Sequence, residues 1–157
     1  MSDEPHASPS LRRASGEDAS AIRELVHDAY RDYTPLLGRT PIPMLVDYAD
    51  AVHRHEFWVL VAGGPIVGLI ELVPRDDHLW VENVAIAPAW QRRGLGRRLL
   101  AHAEDEARRR SFGQIGLLTN ERYEDNIAMY ARDGYRETHC SPHLGTDLIH
   151  FRKVLTV

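Results

Sequence analysis

Residue types suited to chemistry cluster in one turn, Gln91-Arg92-Arg93-Gly94-Leu95-Gly96. The turn follows an apolar run and opens a helical pattern, and the first amides of a helix have no partners within that helix. Glycine lets the backbone come close to a ligand, and arginine pairs with phosphate oxygens. The turn therefore predicts an anion site, suited to the pyrophosphate of a cofactor. The alternative interpretation is a tight turn with a solvated basic helix end.

Two common phosphate loops do not fit this turn. The dinucleotide fingerprint G-x-G-x-x-G requires a third glycine where Leu99 stands. It also requires an acid about twenty residues further on, and Gly116 stands there. The phosphate loop of ATPases requires Gly-Lys-Ser/Thr, which the sequence lacks. A nucleotide-binding protein of either class is therefore disfavoured.

Helical periodicity dominates the first third of the chain. Ser15 predicts a helix cap with Asp18 as its capping-box partner, followed by an amphipathic helix. Thr34-Pro35 and Gly38 are expected to end that helix. A second helix is predicted from Pro43 to His53, since proline fits a first helical turn.

The pattern then changes to strands. Apolar runs over residues 57–62, 66–73 and 78–87, with a turn at Gly63-Gly64, predict an antiparallel meander. Further elements are expected as a helix over 95–110, a strand over 115–119, a helix over 125–132 and strands over 135–139 and 148–154. The strand-helix-strand order predicts a crossover to a parallel neighbour. We expect an α/β (α+β) fold, a mixed sheet flanked by helices, as one domain over residues 10–157 after a disordered lead-in over 1–9.

Composition excludes several classes of function. The 157 residues carry a formal net charge of -4, which argues against a general nucleic-acid coat. Cys140 is the one cysteine, so no internal disulfide is expected, and no apolar run is long enough to span a bilayer. We therefore expect a cytoplasmic protein without nucleic-acid or membrane partners. No metal site is expected, because no zinc spacing occurs among His139, Cys140, His143 and His150.

Two segments resemble the GCN5-related N-acetyltransferase (GNAT) family. Val84-Ala85-Ile86-Ala87-Pro88, followed by the glycine turn and Arg97-Arg98-Leu99-Leu100, is similar to its acetyl-CoA motif of strand, proline, turn and helix. Asn126-Ile127-Ala128-Met129-Tyr130, followed by Gly134-Tyr135, is similar to its second signature. The order of predicted elements is also similar over nearly all of residues 10–155. The resemblance implies a mixed, mostly antiparallel central sheet with splayed central strands.

The resemblance also implies acetyl-CoA as co-substrate and assigns residues to it. The backbone of Val84, Ala85 and Ile86 would pair with the pantetheine arm. The amides from Arg92 to Arg97 would hold the pyrophosphate. Tyr130 would stabilise or protonate the leaving thiolate.

Asn126 is the cofactor residue on which the sequence departs from the family. It stands four residues before Tyr130, whereas the commoner family form has about seven. Either the loop from Asn120 to Asp125 is an insertion, or Tyr123 makes the cofactor contact instead.

Acetyl transfer to an amine also needs a base. Alternation along a strand puts His78, Trp80, Glu82 and Val84 on one face and Asn83 on the other. Glu82 is the first candidate, because partial burial against Trp80 would suit a carboxyl group to this task. Glu121 and His78 are the reserves, and many family members use a chain of waters instead.

The predicted function is transfer of an acetyl group from acetyl-CoA to a primary amine of a small molecule or peptide, by direct attack in a ternary complex. The alternative is a non-catalytic acyl-CoA sensor with the same fold. The segment from Tyr30 to Arg39 predicts either an acceptor pocket or a packing loop, and a homodimer is left open.

Overall fold

The computed structural model describes residues 8–156. Within this range the helices and strands are β1 (Ser10–Arg13), α1 (Ala19–Tyr30), α2 (Tyr33–Leu37), α3 (Tyr48–Arg54), β2 (Glu56–Val61), β3 (Ile66–Pro74), β4 (Leu79–Ile86), α4 (Leu95–Arg109), β5 (Gln114–Asn120), α5 (Glu124–Arg132), β6 (Arg136–His143) and β7 (Thr146–Val154). The expected lead-in over residues 1–9 lies mostly outside this range. Its last residue, Pro9, is buried, and the Pro9 carbonyl accepts a hydrogen bond from the Arg98 guanidinium.

The strands form a seven-stranded sheet in the order β1-β2-β3-β4-β5-β7-β6. The β4–β5 pair is parallel, and the other pairs are antiparallel. The predicted meander is β2-β3-β4, and α4 makes the predicted crossover between β4 and β5. The last two strands form a hairpin that places β7 between β5 and β6. The prediction of a mixed, mostly antiparallel sheet flanked by helices is confirmed.

The capping box before α1 is formed as predicted. The Ser15 amide donates to the Asp18 carboxylate over 2.8 Å, and the Arg12 guanidinium donates to the same carboxylate over 2.8 and 2.9 Å. A short 3-10 turn over Gly16–Asp18 then leads into the helix. These contacts fix the direction in which α1 leaves the sheet edge.

The prediction of one helix from Pro43 to His53 is wrong. Ile42–Leu45 is a 3-10 turn, and α3 begins only after Asp47, whose side chain accepts from the amides of Ala49 and Asp50. A good cap inside the segment therefore restarts the helix. Thr34-Pro35 also lies within a helix, α2, because proline is tolerated in a first turn. Gly38, with φ 72°, ends α2 as a left-handed cap.

Two hydrophobic cores lie on opposite faces of the sheet. Leu99 and Leu100 of α4 pack with Ile70, Leu72 and the central residues of β5 on one face. Residues of α1 and α3 pack against β2 and β3 on the other face, among them Ile22, Val26, Tyr48, Phe57 and Val59. None of the helices in the described part of the chain is long and apolar enough to cross a membrane.

A β-bulge at Glu82 lies where β4 and β5 begin to separate. Leu72 pairs with Val81 and Glu71 with Asn83, which leaves Glu82 as the extra residue of β4. The parallel pairing of β4 with β5 ends at Val81, whereas β5 continues along β7 to Asn120. From Glu82 onward the two strands diverge, so the splay implied by the family resemblance is present.

Candidate active site

A cavity of about 390 Å³, here called the first cavity, lies on one side of the splayed strands. Strand β4, the glycine turn, α1 and α5 contribute to its wall. Its lining residues are Ala29, Tyr30, Tyr33, Val84, Ala85, Ile86, Trp90, Gln91, Arg92, Gly94, Leu95, Gly96, Arg97, Asp125, Asn126, Met129, Tyr130 and Arg132. Ten of the predicted cofactor residues are among them, and Arg93 is not.

The glycine turn has the backbone of an anion site. Gly94 has φ 78° and is the N-cap of α4, a left-handed conformation that costs other residues about 1 kcal/mol or more. The first helical bond runs from the Arg98 amide to the Gly94 carbonyl over 3.1 Å. The preceding amides of the first turn are therefore free of helical partners and can hold an anion.

Gly96 lines the first cavity and also lies at a close contact between two helices. A Cβ at this position would lie 3.3 Å from the Met129 sulfur, so the missing side chain lets α5 pack closely on α4. Gln91 closes the turn from the other side, because its side-chain amide donates to the Ile86 carbonyl over 3.1 Å. Strand, turn and helix are thereby held in one arrangement.

The arginines of the turn have separate roles. The guanidinium of Arg93 lies 4.7 Å from the centre of the Trp90 ring, and that of Arg98 donates to Ser8 and Pro9. Arg92 and Arg97 line the first cavity, although Arg97 also pairs with Asp133 over 2.8 Å. Two of the four arginines therefore remain for an anion in this cavity.

A second cavity, of about 280 Å³, lies between the diverging ends of β4 and β5. Its wall consists of Tyr30, Leu37, Arg39, Ile42, Pro43, Val81, Glu82, Asn83, Val84, Leu117, Leu118, Thr119, Asn120, Tyr123, Asn126, Tyr130, His143 and Leu148. Four residues line both cavities: Tyr30, Val84, Asn126 and Tyr130. The two cavities therefore meet where β4 leaves β5.

Tyr130 lies at this junction. Its side chain is 6% exposed, and its ring packs against Tyr135 and Phe151 with centroid distances of 5.9 and 5.8 Å. Burial raises the pKa of the Tyr130 phenol above its ordinary value, because the charged form would be poorly solvated. The phenol therefore keeps its proton at neutral pH and can donate it.

Glu82 lines the second cavity, but the prediction that it is partly buried is wrong. The side chain is exposed, and its carboxylate accepts a hydrogen bond from the Trp80 indole over 2.8 Å. The predicted row on one face is also wrong, because the bulge shifts the alternation. Val84 packs with Val81 in the same core, three residues apart, and Asn83 lines the same cavity as Glu82.

The two reserve bases lie outside both cavities. Glu121 is exposed at the end of β5, and its amide donates to the Asp147 carbonyl. His78 is 8% exposed, and its Nδ1 lies 2.6 Å from the Asp77 carboxylate. Neither residue is among those that line the junction.

Sequence reasoning missed the polar pair that supports the junction. The Tyr30 hydroxyl donates to the Asn83 side-chain oxygen over 2.7 Å, which ties α1 to the bulge. Tyr33 and Tyr123 stack with centroids 4.0 Å apart at the side of the same region. The one available signal was the pair of tyrosines at the end of the amphipathic helix.

Comparison with known proteins places the chain among acetyltransferases. Residues 21–135 match the model of the acetyltransferase (GNAT) family. "Probable N-acetyltransferase 14" of Xenopus tropicalis is 30% identical over 122 residues, which are 75% of this chain and 59% of that relative. The aminoalkylphosphonate N-acetyltransferase of Salmonella typhimurium is 27% identical over 139 residues, or 82% of this chain and 86% of that protein.

A solved structure has the same fold. The PaiA N-acetyltransferase of Thermoplasma acidophilum, in complex with coenzyme A, aligns with a TM-score of 0.76 at 16% identity. The alignment covers 92% of this chain and 98% of that one. With more than half of its residues matched by the family model, the chain belongs to the GNAT family of acetyltransferases.

Proposed function

We propose that the protein transfers an acetyl group from acetyl-CoA to a primary amine by direct attack in a ternary complex. The observation that carries this proposal is the junction of the two cavities at Tyr30, Val84, Asn126 and Tyr130. One cavity suits the co-substrate and the other an amine, so the reacting groups can meet without a covalent enzyme intermediate.

The residues of the first cavity fit coenzyme A. The free amides at the start of α4, with Arg92 and Arg97, suit its pyrophosphate. The edge of β4 after Val81 is not paired with β5, so backbone groups of Val84 to Ile86 on that side can bind the pantetheine arm. Bound acetyl-CoA supplies the thioester that reacts.

Two side chains, Tyr130 and Glu82, act as the acid and the base of the reaction. The amine loses a proton, its nitrogen forms a bond to the acetyl carbon, and the bond from carbon to sulfur breaks. Tyr130 donates its phenolic proton to the departing thiolate and later regains one from solvent. Glu82 takes the amine's proton through water, because its carboxylate is exposed in the second cavity.

Thiol release from acetyl-CoA, measured with a panel of primary amines, tests the proposal. We expect amine-dependent release of coenzyme A. When both substrates are varied, double-reciprocal plots of the initial rate should give intersecting rather than parallel lines. Parallel lines would indicate a covalent intermediate and contradict direct attack. Tight binding of coenzyme A without release for any amine would instead identify the protein as an acyl-CoA sensor.

A further inference from the structure

Three buried nitrogen atoms in the wall of the second cavity have no hydrogen-bond partner among the described residues. They are Nδ2 of Asn83, Nε of Arg39 and Nε2 of His143. Buried polar groups in proteins are nearly always satisfied. The side chains of the wall therefore carry unused donors, which points to a ligand that supplies acceptors.

The same wall carries one cation and one carboxylate that lack ion pairs. Arg39 is its one arginine, and Glu82 its one acid. Neither has an oppositely charged side chain within 4.0 Å in the described part of the chain. The Arg39 cation also lies near Tyr123, whose pKa burial raises to about 12 and Arg39 lowers in part. The cavity thus offers separate positions for a negative and a positive group.

Apolar side chains form a large share of the remaining wall and limit the size of the ligand. Leu37, Ile42, Pro43, Leu117 and Leu148 form much of it, and the volume is about 280 Å³. This space suits a small molecule with an apolar body. Glu82 and Asn83 directly precede Val84, which lines both cavities, whereas Arg39 follows α2 and His143 ends β6.

We propose that the acceptor is a small amine that also carries an anionic oxygen group, a carboxylate or a phosphonate, bound by Arg39 and His143. This proposal rests on the acetyltransferase function proposed above. The ammonium or amine end would lie toward Glu82, next to the junction. Arg39 is then the residue that selects amines with an anionic group over amines without one. A guanidinium pairs with a carboxylate or a phosphonate through two hydrogen bonds.

The first test compares matched acceptors with and without the anion. Each of several apolar amino acids is assayed beside its own amide and its aminophosphonate analogue. We expect kcat/KM for the acid, the phosphonate or both to exceed that for the amide at least tenfold. Which analogue is preferred distinguishes a carboxylate from a phosphonate. Values for both the acid and the phosphonate that equal the value for the amide would overturn the acidic acceptor while leaving acetyl transfer intact.

Arg39→Gln tests the residue. It should lower kcat/KM for the preferred acid about 10- to 100-fold and leave the value for the amide unchanged. Arg39→Lys, which keeps the charge, should recover part of the loss. The matched control is Arg31→Gln, because Arg31 is an exposed arginine that pairs with Asp28 outside both cavities. Loss with both substrates, or with the control variant, would contradict a role in selection.

A binding measurement keeps the test independent of turnover. Calorimetry with 4-methylpentanoate and 3-methylbutylphosphonate, which lack the amine, is performed on the CoA-saturated protein. We expect at least one of them to bind the wild-type protein at least tenfold more tightly than Arg39→Gln. Equal binding by the two proteins would overturn the anion site. Binding of the anion without turnover of any amine would instead contradict the proposed acetyl transfer alone.

Discussion

Tyr130 lines both cavities, and its ring is held in the core. Because burial raises its pKa, the phenol stays protonated across the range in which an amine acceptor becomes neutral. We expect Tyr130→Phe to lower kcat about 100-fold, the scale of a general acid, and to leave the affinity for coenzyme A unchanged.

The matched control is Tyr135→Phe. Tyr135 packs on Tyr130, but its hydroxyl donates to Glu104 over 3.3 Å and lines neither cavity. Steady-state thiol release and coenzyme A titration separate the two effects. An unchanged rate in Tyr130→Phe would show that another group protonates the thiolate, and an equal loss in Tyr135→Phe would point to a packing effect.

Single residues also mark the limit of inference from sequence. The residue types of the glycine turn predict an anion site, because the turn, its glycine and its helix are local. The bond between Tyr30 and Asn83 joins positions 53 residues apart, and nothing in the sequence indicates that they meet. The bulge at Glu82 likewise leaves no mark in a strand pattern, so strict alternation placed Val84 and Asn83 on the wrong faces.

Helix α4 depends on Gly94 for its start. With φ 78°, this position strains any side chain, although a Cβ there would meet no atom within 4 Å. Gly94→Ala should lower the free energy of unfolding by about 1–2 kcal/mol and weaken coenzyme A binding, because the strain tilts the amides of the first turn. Gly113→Ala is the control, since Gly113 has open space and no left-handed φ. Urea unfolding measures the stability of both variants, and titration measures their affinity for coenzyme A. Equal losses in Gly94→Ala and Gly113→Ala would contradict the special role of Gly94.

The start of α1 depends on Asp18. The Arg12 guanidinium holds the pKa of this carboxyl at about 2, below its usual 3.8, with further help from Ser15. A carboxyl group whose pKa is lowered by folding stabilises the fold at pH values above its pKa in the unfolded chain. This contribution to the free energy of unfolding is lost as the pH falls toward 2. Asp18→Ala should therefore lower the free energy of unfolding by about 1 kcal/mol at pH 7. The difference in free energy of unfolding between the wild-type protein and this variant should become smaller below about pH 4.

Asp28→Ala is the control for that prediction, because Asp28 lies on the same helix in an exposed pair with Arg31. An exposed pair contributes about 0–1 kcal/mol. Urea unfolding at pH 7, 4 and 2.5 distinguishes the two variants. If the stability difference between the wild-type protein and Asp18→Ala stayed constant down to pH 2.5, the carboxylate charge would not be what stabilises the cap.

At the scale of the whole molecule, the sheet consists of two antiparallel parts with a short connection. Strands β1 to β4 form one part and β5, β7 and β6 the other. They are joined by three parallel residue pairs, from Leu79–Ile115 to Val81–Leu117, and by α4, which packs across both. The core thus holds the two parts together at one end, and the site occupies the end at which they separate.

This arrangement predicts a specific pattern of hydrogen exchange. In the free protein, residues 82–86 should exchange faster than residues 69–72 of β3, because one edge of β4 lacks a strand partner there. Saturating coenzyme A should slow exchange at 82–86 and at 91–97 together, whereas residues 148–152 of β7, paired on both sides, should not change. Mass spectrometry of exchanged peptides resolves all four segments. Protection confined to 91–97 would mean that the turn binds the pyrophosphate while the pantetheine arm leaves the edge of β4 free, and the splayed strands would then need a different occupant from the one proposed.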